Sequence, residues 1–459
     1  MWYNKGMNYF LNIPNKVYDI LTELRRGGFD AYVVGGCVRD LLMSRKPDDW
    51  DITTSATPDE VKKVFRKDKL VETGLKHGTV TIVRGKESFE VTTFRSDGTY
   101  SDGRHPDSVS FSKDIKVDLA RRDFTMNALA YSPEKGIIDE YGGIEDIRNK
   151  VIRAVGEPEE RFKEDSLRIL RAIRFAGTLG FMLEAETARA VRDLAGTAGR
   201  SSAERIMTEI NKLLMGAYAA YAVKAYRHEI DAAVAFADIR IADRRCVRSL
   251  EHAPASLPLR LALIMDLKDE ENQMNLFGDS GLFSFAGNLF GARPEVDIDG
   301  YRNALKKMKY DNDTIKLAAA MKETASKKIE PEDMVVRLEM RKLADRFPSG
   351  MVPDIMMDGI SVRSLQGRQS DSATEKLFAV MQKIVEKGEC YSRSQLDITG
   401  DDLAEDKELN EAGLKQGKAI GKILSALLDE VIAGELENEH DALMKRAREI
   451  YTLVSSIYI

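Results

Sequence analysis

The chain has 459 residues, 43% of them apolar and 31% charged, the balance of a globular protein with ample chain for more than one core. A net charge of −6 excludes a protein that draws nucleic acid by overall charge, so any such partner must meet local basic clusters. No stretch has the unbroken apolar length of a membrane span, the first residues lack the apolar core of a leader, and three scattered cysteines, Cys37, Cys246 and Cys390, make neither a disulfide framework nor a zinc site. A reducing, cytoplasmic setting is expected.

In chain order, Lys16 to Arg26 predicts an amphipathic helix with Val17, Ile20, Leu21 and Leu24 on one face, ended by Gly27-Gly28. Ala31 to Val34 predicts a buried strand. Gly35-Gly36 follows, then a short helix through Val38 to Leu42, then Asp49-Trp50-Asp51 on a second strand. Period two would aim both carboxylates at one face, where they repel each other unless a cation lies between them. Mg2+ takes few carboxylates and completes its shell with water and phosphate oxygens. A glycine pair before a helix offers backbone N–H groups to an anion. Either motif alone is usually a turn or a solvated loop. Together, within one strand–turn–helix–strand unit, they predict phosphoryl or nucleotidyl transfer.

Thr57-Pro58-Asp59-Glu60 is a capping box with proline at the first helical position. Thr79 to Val83 and Phe89 to Phe94 predict two strands joined through Gly85 to Glu87. Glu90 then becomes a third carboxylate near the Asp-x-Asp strand, either a metal ligand or the group that takes a proton from an attacking hydroxyl; its plain alternative is an exposed strand residue. Arg95 to Pro106 reads as a mobile loop. Arg121 to Ala128 opens a helical stretch whose arginines suit phosphate oxygens. Asp139 to Asp146 reads as a structural turn.

From about Val155 the pattern becomes helical. Glu164 to Phe175 places Asp165, Arg168 and Arg171 three residues apart, close enough to share a site on one helix. Arg174 lies about half a turn away from Asp165 and needs another partner. The alternative is a row of exposed ion pairs worth little. Ser201 to Leu214 is another amphipathic helix. A long loop is expected from Asn275 to Pro294, a linker from Pro348 to Pro353, and strong helices over Ala419 to Ala433 and Asp441 to Val454.

These motifs, in this order, closely resemble the class II tRNA nucleotidyltransferases, the CCA-adding enzymes, which share a superfamily with bacterial poly(A) polymerases. The resemblance rests on Gly35-Gly36-x-x-Arg39-Asp40 with Asp49-x-Asp51, on Arg121-Arg122-Asp123-Phe124-Thr125-x-Asn127-Ala128, on Asp139-x-x-Gly142-Gly143-x-x-Asp146, on Glu164-Asp165-x-x-Arg168-x-x-Arg171-Ala172-x-Arg174-Phe175, and on Ala203-Glu204-Arg205-Ile206. It implies an α+β protein: a polymerase-beta-type head over 1–153, then all-helical neck (154–220), body (221–347) and tail (348–459) in a sea-horse arrangement. It implies that Asp49 and Asp51 hold Mg2+, that Gly36 and Arg39 contact the triphosphate, and that Arg122, Asp165, Arg168, Arg171 and Arg174 complete the nucleotide site, Asp165 and Arg168 reading the base. The implied partners are tRNA, CTP and ATP, and no membrane. The implied activity is addition of C, C and A to tRNA; the alternative is an A-adding-only enzyme or a poly(A) polymerase of the same family. Relatives that add only the two cytidines tend to have a shortened loop, whereas the stretch from Arg95 to Pro106 is full length, though it reads Arg104-His105-Pro106 where the family usually has two arginines before the proline. The only His-Asp pair, His440-Asp441, falls in the tail, so no phosphohydrolase activity is expected.

Overall fold

The computed structural model describes residues 11–98, 108–268, 296–414 and 417–457. It divides into two compact units, one of residues 1–241 with 307–309, the other of 242–306 and 310–459. The protein is α+β. In the described residues no helix is long and apolar enough to cross a membrane.

The first unit is built on a seven-stranded sheet. Its strands are β1 (Ala31–Val34), β2 (Asp51–Thr54), β3 (Lys69–Val71), β4 (Thr79–Arg84), β5 (Glu87–Thr93), β8 (Leu129–Ser132) and β9 (Gly136–Asp139), in the spatial order β3-β4-β5-β2-β1-β8-β9. A separate ribbon pairs β6 (Arg95–Asp97) with β7 (Val109–Phe111). Within the seven-stranded sheet, only the neighbours β2 and β5 run parallel. Helix α1 (Asn15–Arg26) buries the expected Val17, Ile20, Leu21 and Leu24. They join a core with Val33, Ile52, Phe65, Val80 and Val91 on one face of the sheet. Tyr32, Val34, Phe94 and Ala130 belong to a second cluster, so the four residues of β1 are buried on both sides, which is why they read as a continuous apolar run. Helix α2 spans Gly36–Leu42, and α3 (Pro58–Val64) carries the capping box in full.

Four readings change, the first at Arg95 to Asp97, which open the expected loop as strand β6. Helix α4 (Ile115–Ala120) ends before Arg121, and the segment expected to open a helix is a turn with one 3-10 turn at Thr125–Asn127 that leads into β8. The Asp123 carboxylate accepts the Phe124 N–H (2.8 Å) and the Asn127 amide (3.0 Å), a local alternative that competes with helix. The row expected as one helix is two: α6 (Pro158–Glu164) stops, Asp165 is extended, and α7 (Leu167–Leu179) begins. Pro348 to Pro353 is no linker, since a 3-10 turn runs directly into a helix over Val352–Leu365 with Val352 fully buried. Proline at the start of a helix is as common a use as proline in a linker.

The elements that follow are a short parallel pair, β10 (Val151–Ile152) with β11 (Met182–Leu183), then α8 (Ala185–Asp193), α9 (Ala203–Leu214) and α10 (Ala219–Ala225). The second unit is helical, with helices over Asn312–Ser326, Asp333–Ala344, Asp371–Glu386, Lys418–Ala433 and His440–Ile457 among others. Arg104, His105, Pro106 and the stretch from Asn275 to Pro294 lie outside the described residues.

Candidate functional site

Asp51 opens β2, and its register partner on the parallel strand β5 is Glu90. Register partners project from the same face, so two carboxylates stand side by side on adjacent central strands, at the start of β2. Asp49 lies two residues before the strand rather than on it, yet it is close enough to act on both. All three are exposed. Loss of hydration against the protein raises the Asp51 carboxyl above its ordinary range, Arg122 opposing and Asp49 adding. Glu90 is raised first by the same desolvation, then by Asp51 and Asp49. The raised Asp51 and Glu90 carboxyls, with the Asp49 charge beside them, form an acidic site that favours a cation. Among the described residues no three His, Cys, Asp or Glu side chains are grouped closely enough to hold a metal ion by themselves; an ion on one or two carboxylates would take the rest of its shell from water and phosphate oxygens.

Gly35 allows the approach. Its φ is +83°, and a Cβ there would lie 2.9 Å from Arg122 Nη1 and 3.9 Å from Asp51 Oδ2. Only glycine accepts both the left-handed backbone and the close guanidinium. At Gly36 an added Cβ would meet only Arg39 Nη2, at 3.6 Å, so the space above it is open. Arg39 is buried. It donates to Asp40 (2.9 and 2.8 Å) and to Asn127 Oδ1 (2.7 Å) and lies 5.0 Å from the Phe175 ring centre, leaving two of its five N–H donors.

Three consecutive residues join these carboxylates to α7. Arg122 leans toward Asp51 from Asp118, to which it donates at 3.1 Å; its buried Nε–H has no hydrogen-bond partner. Asp123 accepts from Arg171 Nε (2.9 Å) and Nη2 (2.7 Å). The Arg121 carbonyl accepts from Arg168 Nη2 at 3.3 Å. A guanidinium beside these carboxylates suits a phosphate oxygen.

Asp165 and Arg168 do not bond to each other through their side chains. Asp165 is gripped by Arg205 of α9, at 3.2 Å to Oδ1 and 2.7 Å to Oδ2, and its Oδ1 also accepts the Leu167 N–H at 3.1 Å. Arg168 donates Nη1 to Glu164 (2.5 Å) and to the Arg161 carbonyl (2.9 Å). Counting donors and lone pairs, Asp165 Oδ2 keeps one acceptor site, and Arg168 keeps its Nε–H and one Nη2–H. Arg174 finds the separate partner its position requires: Glu209 of α9, at 2.6 Å, with its guanidinium 3.7 Å from the Phe175 ring centre. Arg171 reaches the same glutamate at 3.5 Å. The structure thus brings Asp49, Asp51, Glu90 and Arg122 together, joins Arg168 and Arg171 to them through 121–123, and turns Arg174 toward α9.

Sequence reasoning assigned no roles to Asp123, Asn127, Arg205 and Glu209. The first three lie inside the motifs quoted above. Glu209 could have been found as a carboxylate on the apolar face that Ile206, Ile210 and Leu213 define.

The stretch from Asp139 to Asp146, read as a turn, is a short bend between the end of β9 and the start of a helix. Asp139 accepts the N–H groups of Gly143 (2.7 Å) and Ile144 (2.9 Å) at the start of α5 (Gly143–Asn149), and Asp146 accepts Thr125 Oγ1 at 2.6 Å. A Cβ on Gly143 would lie 2.2 Å from the Thr125 carbonyl oxygen. Gly143→Ala should therefore cost about 1–3 kcal/mol, as overpacking does, and lower the melting temperature by about 2–4 °C per kcal/mol, read by thermal denaturation.

Three family models match in chain order: the poly A polymerase head domain over residues 31–153, a probable RNA and SrmB-binding site of polymerase A over 180–229, and a putative tRNA nucleotidyltransferase domain 2 over 295–447. The CCA-adding enzyme of Limosilactobacillus reuteri is 34% identical over 431 residues, 94% of this chain and 95% of that one. The chain belongs to the CCA-adding enzymes. That of Geobacillus stearothermophilus is 48% identical over 204 residues, 44% of this chain and 50% of that one. The crystal structure of the Bacillus stearothermophilus CCA-adding enzyme in complex with CTP superposes with a TM-score of 0.69 at 29% identity, covering 95% of this chain and 98% of that one. The Thermotoga maritima enzyme complexed with tRNA shares the fold at a TM-score of 0.58 and 23% identity, over 94% of each chain.

Proposed function

We propose that this chain adds C, C and A in turn to the 3′ end of tRNA, taking CTP and ATP, releasing pyrophosphate and using no nucleic-acid template. The observation that carries the reading is the segment Arg121 to Asp123, which couples the carboxylates to the arginines of α7. Asp49 and Asp51 would hold Mg2+, which when bound lowers the pKa of the attacking 3′-hydroxyl and offsets charge on the departing pyrophosphate. Glu90 stands where it can accept the hydroxyl proton or complete the ion's shell. Arg122, whose guanidinium lies beside Asp51, sets a positive charge next to the triphosphate, the open face of Gly36 admits it, and Arg39 adds its remaining donors. Asp123 and Glu209 hold Arg171 and Arg174 in place.

Base choice follows from the unused groups. Cytosine and adenine both show an amino donor beside a ring-nitrogen acceptor, whereas uracil and guanine show a carbonyl beside an N–H. Asp165 Oδ2 can accept from the amine and Arg168 can donate to the ring nitrogen. The wrong base leaves buried polar groups unpaired at about 1–3 kcal/mol each. The helical remainder, with neck, body and tail boundaries near 153, 220 and 347, would carry the tRNA, and that substrate places the protein in the cytoplasm.

The test supplies tRNA lacking its last three nucleotides with labelled nucleotides singly and in pairs. CTP alone should extend it by two, CTP with ATP by three, and UTP or GTP by none. Arg168→Ala should narrow the preference for CTP over UTP by about 10- to 100-fold, by the same unpaired-group magnitude. A general loss of structure would lower all four nucleotides alike. Incorporation of ATP but never CTP would replace this reading with A-addition or poly(A) synthesis, and unchanged selectivity in the variant would remove the base-reading role.

A further inference from the structure

Two apolar cores meet in the second unit. One gathers Leu343, Val352 and Tyr391, with Phe347 packed against it; the other gathers Ile398, Ile423 and Leu428. Packing alone would close the seam between them with apolar side chains. Instead a cavity of about 290 Å³ opens there, with Phe347 on one side, Leu428 on the other, and two arginines, Arg341 and Arg393, in its lining. That volume is at the lower end for small-molecule sites, and the transfer site uses none of these residues.

The walls are fixed from behind. Arg341, on the helix over Asp333–Ala344, donates to the Ser425 carbonyl (3.4 Å) and hydroxyl (2.5 Å) and pairs with Asp429. Its Nε–H has no partner among the described residues. Tyr391 donates its hydroxyl to the Ser349 carbonyl at 3.1 Å, which pins the turn that carries Ser349 into the lining. Arg393 is held more loosely. Its side chain meets Asp345 in one contact of 3.5 Å, longer than charge-assisted bonds usually are, and four of its five N–H groups stay unused. The Ser349 hydroxyl accepts from Ser394 at 3.5 Å and keeps its own hydrogen to give.

Guanidinium N–H groups and a hydroxyl around one cavity suit phosphate oxygens. Asp345 opposes an anion, and a phosphate would take its place on Arg393. Phe347 and Leu428 offer apolar surface to a flat ring beside that phosphate. A duplex backbone presents phosphates without such a ring. We propose that this cavity binds a small phosphate monoester of the mononucleotide class, as a site distinct from the transfer site, with Arg393 as its main anion contact.

The test titrates the full chain with AMP, adenosine and inorganic phosphate by calorimetry. Arg168→Ala, altered only in the transfer site, should still bind AMP. Adding Arg393→Leu to it should weaken that binding about 10- to 100-fold, as loss of a charged hydrogen bond does, and Arg393→Lys should recover part of it. The melting temperature should not change, because Arg393 is exposed and makes one long ion pair. Adenosine and inorganic phosphate should each bind at least about tenfold more weakly than AMP. No AMP binding in Arg168→Ala, or affinity there untouched by Arg393→Leu, overturns the site. Inorganic phosphate bound as tightly as AMP overturns the mononucleotide class. Weaker tRNA binding in Arg393→Leu, with no AMP binding by the wild type, gives the cavity to the RNA backbone and overturns the proposal too. None of these readouts is nucleotide transfer, so they stand or fall apart from the proposed activity.

Discussion

Asp51→Asn should lower nucleotide incorporation by about three orders of magnitude while leaving the chain folded. The expected loss follows from charge: an ion that stabilises the developing transition state contributes several kcal/mol, and each 1.4 kcal/mol is tenfold in rate. The fold should survive because Asp51 is exposed at the strand's first residue while Ile52, Thr53 and Thr54 are the buried part of β2. The same substitution should raise thermal stability in the absence of divalent ions. The folded protein lifts the Asp51 carboxyl above its ordinary value, so at neutral pH its ionised form opposes folding; the sign is that of a group whose folded state prefers the proton. Added Mg2+ should raise the melting temperature of the wild type and not of the variant. Thermal scans with and without chelator, run beside an incorporation assay, separate the two effects. A variant that transfers CTP at the wild-type rate would show that the carboxylate site is not the reaction centre.

Arg171→Leu should destabilise the first unit by about 3 kcal/mol, the lower end for breaking one partner out of a buried ion pair, since Arg171 keeps a third of its side chain exposed. Asp123 would keep only its bonds to Phe124 and Asn127. In the wild type, burial pushes the Asp123 carboxyl up, but Arg171 and Asn127 more than reverse this and hold it well below the usual carboxylate range. A depressed carboxyl contributes stability that is complete above its unfolded value near 3.9 and is lost as pH falls through the lower folded value. Removing Arg171 should move that loss to higher pH. Denaturant melts at pH 7 and at about pH 4 measure both shifts. A variant as stable as the wild type at both would mean that Arg171 does not hold Asp123.

The fold was legible where side chains repeat with a period. The four apolar residues of α1, the buried run of β1 and the Thr57 to Glu60 cap all stand as read. It was not legible where one polar side chain diverts the backbone. Asp123 and Asn127 satisfy their own turn where the sequence reads as the opening of a helix, and Asp165 interrupts a row whose spacing reads as a single helix. The site was legible as motifs but not as contacts. Sequence spacing puts Asp165 beside Arg168, whereas the structure pairs Asp165 with Arg205 and Arg168 with Glu164, because α9 packs on α7 and brings a distant guanidinium closer than the near one. Spacing along one helix shows which residues can meet, but tertiary packing decides which of them do.

The central claim is that an acidic site grips divalent ions while Asp165 and Arg168 inspect the base. A crystal structure of this chain with CTP and Mn2+, the ion located by anomalous scattering, tests it most directly. The account predicts the metal on Asp49 and Asp51, the triphosphate beside Arg122, and the cytosine amino group on Asp165 Oδ2 with its ring nitrogen on Arg168. A metal bound elsewhere, or a cytosine edge turned away from that pair, would contradict it.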